Sequence, residues 1–264
     1  MHCKDAPGIP TKPVMTFRYL LAGMLAGVAA GGAPLEFQSS EHQEALVELY
    51  TSEGCSSCPP AESWLSGLKK APGLWSDFVP VAFHVDYWNH LGWRDKWSNK
   101  EYSDRQRNYA DAWASANIYT PEFVLNGKEW NNWFGFKGAP GLSETKAGLL
   151  KMSSEDTNLW NVSFVPAAAG NSDYEINAAL LVSGLGSDVK AGENSGRHLK
   201  HDFVAIALVN QPLFRKDNGF KGVVTLAAGQ KPVEGRLALA VWVTHSGRLE
   251  PVQSVGGWLA EAAK

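Results

Sequence analysis

The chain has 264 residues, of which 44% are hydrophobic and 19% charged, and a formal net charge of -3. That balance is ordinary for a folded globular protein. With no basic block after the first segment, it gives no reason to expect nucleic acid as a partner.

Lys12 and Arg18 precede an apolar run from Tyr19 to Ala30, and the small residues Gly31-Gly32-Ala33 follow. Residues 1–33 therefore read as a signal peptide, cleaved after Ala30 or Ala33. The alternative is an uncleaved anchor, but the run is short of the roughly 20 apolar residues that a span needs. Met15 offers a second start. The expected location is exported, periplasmic or secreted, with no stable membrane insertion after cleavage. Cys3 would be lost, leaving Cys55 and Cys58.

After a polar lead-in, Leu46–Thr51 reads as a strand and Ser52-Glu53-Gly54 as a turn. A helix opens at Cys58-Pro59-Pro60, with Trp64, Leu65 and Leu68 on one face, and Pro72-Gly73 ends it. Val79–Asp86 is nearly continuously apolar, as in a strand covered on both faces. Lys100–Asn117 has helical periodicity. Thr120–Lys128 reads as a strand turning at Asn126-Gly127, and Gly141–Met152 as a closing helix. This alternation predicts an α/β domain over residues 34–152. Beyond it, short runs at 159–165, 173–182, 202–209, 222–226 and 237–244 predict an all-β, sandwich-like module over 153–264.

The chemistry centres on Gly54-Cys55-Ser56-Ser57-Cys58-Pro59. Thiolate is the nucleophile in disulfide exchange, and a helix N-terminus stabilises it. Cys55 is thus the expected attacking thiol, with Cys58, one turn inside, resolving the mixed disulfide. A zinc half-site is the first alternative, but zinc needs four ligands and the histidines are scattered, so no metal is expected. A structural disulfide is the second. No nucleotide or flavin motif is visible, which leaves the Cys55–Cys58 disulfide as the redox centre and no separate cofactor.

Tyr119-Thr120-Pro121, followed by Glu122–Gly127, together with the strand–CxxC–helix unit, resembles the thioredoxin superfamily. The resemblance implies a thioredoxin-like fold with a cis Thr120–Pro121 bond against the sulfurs and a Thr120 backbone free to pair with substrate. It also implies that Glu48, on the strand before the motif, relays a proton to the second cysteine. Tyr87 and Trp88 end the second strand, where ligands gather in such sheets, and are candidates for shaping the binding surface. Trp93 and Trp97 read as core. Trp130, Trp133, Phe134 and Phe136 read as buried aromatics, with an exposed patch as the alternative. More narrowly, Leu49–Ala61, Asp86-Tyr87-Trp88 and Gly192–Val204 resemble a bacterial family of secreted thioredoxin-like proteins of unknown function. The Ser56-Ser57 dipeptide departs from the Gly-Pro and Pro-His of reducing and oxidising relatives.

The expected function is an exported thiol–disulfide oxidoreductase. It would exchange disulfides with protein thiols or disulfides and be served by an unidentified electron-transfer partner. The rivals are a binding module stapled by its disulfide and a periplasmic metal chaperone.

Overall fold

The computed structural model describes residues 35–155, 158–226 and 234–259. The signal-peptide reading of residues 1–33 lies outside them.

In chain order, β1 is Leu35–Gln38, β2 Ala45–Thr51, α1 Pro59–Gly67, β3 Phe78–His84 and α2 Lys100–Ala112. Next come β4 Glu122–Leu125, β5 Lys128–Glu129, β6 Gly148–Ser154, β7 Leu159–Pro166, β8 Tyr174–Ser183 and β9 Leu185–Asp188. The last are β10 His198–His201, β11 Val204–Lys216, β12 Gly219–Thr225, β13 Arg236–His245 and β14 Pro251–Trp258.

Twelve of these strands form one mixed sheet, running β1-β6-β7-β12-β11-β3-β2-β4-β5, with β8, β13 and β14 branching from β11. β9 and β10 make a separate antiparallel ribbon. This overturns the expected fold class. The described residues are mostly strand with two α-helices, not a thioredoxin-like α/β domain carrying a separate all-β module. The joint is β11. Its Val204 pairs in parallel with Ala82 of β3, its middle runs antiparallel to β8, and its end pairs with β12. Strands from the two halves of the sequence therefore share one sheet.

Alternation along β8 and β13 explains how the sheet carries two cores. Ala179, Leu181, Ala238, Ala240 and Trp242 pack with β2, β3 and α1. The intervening Ala178, Leu180, Leu239, Val241 and Val243 pack with β6, β7 and β12. Successive side chains of a strand point to opposite faces, so a strand between two cores must be apolar throughout.

The helix expected over 141–152 is also corrected. Gly148–Ser154 is strand β6, paired with β1 and β7, and its alternate residues are buried. Leu and Lys favour helix locally, but pairing on both edges overrides so weak a preference. The Asn126-Gly127 turn forms as expected, with φ of 48° and 78°, and joins β4 to β5.

Candidate functional site

β2 ends in a tight loop that leads into α1. Gly54 fits closely there: a Cβ would stand 3.0 Å from the Trp88 Cβ, so a larger residue would push Trp88 aside by a few tenths of an ångström. Cys55 and Cys58 form a disulfide. Pro59 and Pro60 open the helix, and the Cys58 carbonyl accepts the N–H groups of Ala61 and Glu62 at 2.9 and 3.1 Å. Proline suits a first turn, where an N–H would have no partner within the helix.

The Thr120–Pro121 bond is cis. The Thr120 carbonyl oxygen lies 3.7 Å from Cys55 Sγ and accepts the Ser57 hydroxyl at 3.4 Å. Ser57 Oγ is itself 3.3 Å from Cys55 Sγ. Trp88 Nε1 donates to Thr120 Oγ1 at 2.8 Å, and the Tyr87 hydroxyl donates to Gln106 Oε1 at 3.1 Å. Trp88, Thr120 and Pro121 are thus assembled at the disulfide, whereas Tyr87 is turned toward α2. Phe134 is 80% exposed and Phe136 40%, so part of the aromatic cluster faces solvent.

A segment far along the chain covers the motif. The turn after β9 places Glu193 to accept the Ser56 N–H at 3.1 Å, and the Ser56 side chain, with this N–H second, holds the Glu193 carboxyl below its usual range. Asn194 Nδ2 donates to the carbonyls of Glu53 and Cys55 at 2.9 and 2.8 Å. Both sulfurs are fully buried, while Ser56 and Ser57 are exposed.

Glu48 is placed by strand parity. Glu48 and Tyr50 lie on one face of β2, and Thr51 lies on the other. Arg105 of α2 donates from Nε and Nη2 to the two Glu48 oxygens at 2.8 and 3.0 Å. Tyr50 and Tyr109 add hydroxyl donors at 2.9 and 2.7 Å. Burial opposes the Arg105 charge, but Glu48 outweighs it and keeps the guanidinium protonated. The hydrogen bonds of the Glu48 carboxylate thus run to Arg105 and the two tyrosines rather than toward the cysteines.

On the Thr51 face is a group that sequence reasoning missed. Glu62, one helical turn beyond Cys58, accepts the Thr51 hydroxyl at 2.6 Å and faces His201 Nδ1 at 2.5 Å. Glu53 Oε1 stands 3.2 Å from His201 Nε2. His84 Nδ1 donates to Asp95 Oδ2 at 2.6 Å, and that oxygen also accepts the Glu53 N–H at 2.9 Å. Trp93 Nε1 donates to Glu53 Oε2 at 2.6 Å. Burial opposes charge on His201, but Glu53 and Glu62 prevail and raise its pKa to about 10. Burial alone would raise Glu53 and Asp95, yet both are held below their usual range, Glu53 chiefly by His201 and Asp95 chiefly by His84. The available signal was a carboxylate on each side of the motif, Glu53 and Glu62. Nothing local tied them to His84 or His201.

The molecule is thus a mixed-sheet protein with a CxxC disulfide at a helix start, a cis-proline loop against it and a buried acid–histidine cluster beneath. It belongs to the family described as "Protein of unknown function (DUF1223)", which it matches over residues 46–244. No curated protein matches the chain. Among solved structures, it is similar to the crystal structure of protein AGR_C_4864 from Agrobacterium tumefaciens. That match has 25% identity and a TM-score of 0.55, covering 83% of this chain and 95% of that one. It also shares a fold with HBP35 of Porphyromonas gingivalis, at 10% identity and a TM-score of 0.54, covering 84% of this chain and 76% of that one. The unknown-function family is what the comparisons support. The thioredoxin-superfamily and redox assignments drawn from the motif gain nothing from them.

Proposed function

We propose that the Cys55–Cys58 pair undergoes thiol–disulfide exchange with protein thiols or disulfides in an oxidising compartment outside the cytoplasm. The observation that carries this reading is the placement of Cys55. Its Sγ lies beside the Ser57 hydroxyl and the Thr120 carbonyl, at the opening of α1. When the pair is reduced, the Ser57 hydroxyl can donate to a Cys55 thiolate, and the helix terminus favours the same charge.

In the reducing direction, the Cys55 thiolate attacks a substrate disulfide, forming a mixed disulfide and expelling one substrate thiolate. The Cys58 thiolate then attacks Cys55 Sγ, closing the intramolecular disulfide and releasing the second thiolate. Two electrons pass to the substrate. A partner dithiol returns them, or a partner disulfide drives the reverse direction. The Glu193–Asn194 turn is bonded to the backbone of Ser56 and Cys55 and both cysteines are fully buried, so substrate must open this face to reach Sγ.

That same burial favours a second reading, in which the disulfide is a staple holding the loop that binds Asn194. Equilibrating the purified protein with glutathione separates the two. A reduction potential between about -270 and -120 mV supports turnover, whereas a value below about -300 mV makes the pair a staple.

A further inference from the structure

The cluster beneath the disulfide is short of positive charge and of partners. Glu53 and Asp95 are 0% and 1% exposed and Glu62 is 8% exposed, so three carboxylates are buried against two imidazoles, His84 at 0% and His201 at 1%. Buried charges are tolerated when paired or when they coordinate metals. Among the described residues His84 Nε2 has no hydrogen-bond partner, and His201 Nε2 and Glu53 Oε1 have only each other, at 3.2 Å. Orphaned polar atoms this deep call for an explanation, and an ion is one.

We propose that His84, His201 and Glu62, with Glu53 beside them, hold one divalent transition-metal ion of the Zn2+ class. One ligand atom from each of Glu62, His84 and His201 lies within 4.8 Å of the others. Ligands standing about 2.0–2.2 Å from a tetrahedral ion are about 3.3–3.6 Å apart, so these side chains need only draw together slightly around it. The surroundings of His84 match those of a ligating histidine, whereas His201, whose two ring nitrogens face Glu62 and Glu53, must give up its proton as the ion enters. His84 presents Nδ1 to Asp95 at 2.6 Å, which leaves its Nε2 lone pair free, and the second oxygen of Glu53 is fixed by Trp93. Metal-bound histidines characteristically donate their other ring nitrogen to a carboxylate in this way. Two imidazoles and two carboxylates suit zinc and its neighbours rather than Ca2+ or Mg2+, which take six or more oxygens. The ion and the two glutamates would sum to zero charge. The site is distinct from the cysteines, so it does not depend on the exchange chemistry proposed above.

The test uses the oxidised full chain, with Cys3 alkylated and the Cys55–Cys58 disulfide intact, so that no thiolate competes for metal. The protein is dialysed against Zn2+ and then metal-free buffer, its zinc is counted, and affinity is measured against a chromophoric chelator. One equivalent per chain is expected, with His84→Gln and His201→Gln abolishing retention. Asp95→Asn, which removes only the carboxylate behind His84, should weaken binding about 10–100-fold. Cobalt provides a check that needs no substitution: Co2+ on the same oxidised protein should show the intense visible bands of four-coordinate N/O ligation. Failure to retain zinc, retention unchanged in folded His84→Gln and His201→Gln proteins, or a Co2+ spectrum matching the free aqueous ion would each overturn the proposal.

Discussion

Two buried clusters lie on opposite faces of β2, and they differ in how completely they are satisfied. On one face, the Glu48 oxygens receive four hydrogen bonds, from Arg105 Nε and Nη2 and from the Tyr50 and Tyr109 hydroxyls. On the other, His84 Nε2 has no hydrogen bond among the described residues, and Glu53 Oε1 and His201 Nε2 have only each other, at 3.2 Å. The first arrangement is what a structural ion pair requires, since burying charge is tolerable when geometry and extra hydrogen bonds offset desolvation. The second leaves capacity unused at the place where α1, the β9–β10 ribbon and the CxxC loop meet. Satisfied charge fixes the fold, and unsatisfied charge is the better pointer to function.

The largest expected effect comes from breaking the completed cluster. Arg105→Met leaves the fully buried Glu48 carboxylate without its cation. Removing one partner of a buried pair typically costs about 3–5 kcal/mol. Denaturant unfolding should show that loss with an unchanged slope. A loss under about 1 kcal/mol would mean that the Tyr50 and Tyr109 hydroxyls satisfy Glu48 without Arg105.

A third buried acid sharpens the contrast, because it has no cation at all. Burial raises the Glu44 pKa from an ordinary 4.5 to about 8, with the Ser40 N–H opposing and Asp77 adding to the rise. Glu44 Oε1 accepts that N–H at 2.8 Å, while Oε2 has no hydrogen-bond partner. Between the two pKa values the folded state keeps a proton that the unfolded chain has released. Stability is therefore highest below the unfolded value and falls as pH rises toward 8. At about 1.4 kcal/mol for each pH unit separating the two values, the loss is up to about 4–5 kcal/mol. Glu44→Gln keeps the Ser40 contact and removes the titration. Its stability relative to wild type should climb steadily across that window, and parallel pH profiles for the two proteins would sink the account. Glu122, raised to about 7 by burial, contributes to both proteins and cancels in the difference.

How much of this could be read from sequence depended on range. β2, α1, β3, α2 and the β4–β5 hairpin were legible because periodicity and the Asn126-Gly127 turn act locally. The cis Thr120–Pro121 bond was expected from resemblance alone, and it is present. β6 was misread as a helix because its pairing with β1 outweighs the preferences of Leu149–Met152. The single sheet was hidden because its joint is one parallel bridge between Val204 and Ala82, far apart in sequence. The acid–histidine cluster was hidden for the same reason. His201 meets Glu62 across 139 positions and Asn194 meets Cys55 across 139, and neither separation leaves a local pattern. Glu48 was singled out by the thioredoxin resemblance, but the parity of β2 turns it to the opposite face from Thr51 and Glu62.

A matched pair of substitutions compares the two faces most directly, though with the smallest effects. Trp93→Phe removes the Nε1 donor to Glu53, and Tyr109→Phe removes one hydroxyl donor to Glu48. Each deletes one hydrogen bond to a buried carboxylate. Glu48 keeps Arg105 and Tyr50 after its loss, so Tyr109→Phe should cost about 1 kcal/mol. Glu53 is left with one oxygen stripped of its donor and the other holding only the long 3.2 Å contact to His201 Nε2, so Trp93→Phe should cost about 2–3 kcal/mol. Equal costs would mean that the vacant capacity around Glu53 is already filled by something the side chains do not supply. Zn2+ separates the possibilities. If the ion binds as proposed, adding it should narrow the gap between the two variants, because the ion would engage the Glu53 carboxylate that lost its donor. It should leave Tyr109→Phe where it was.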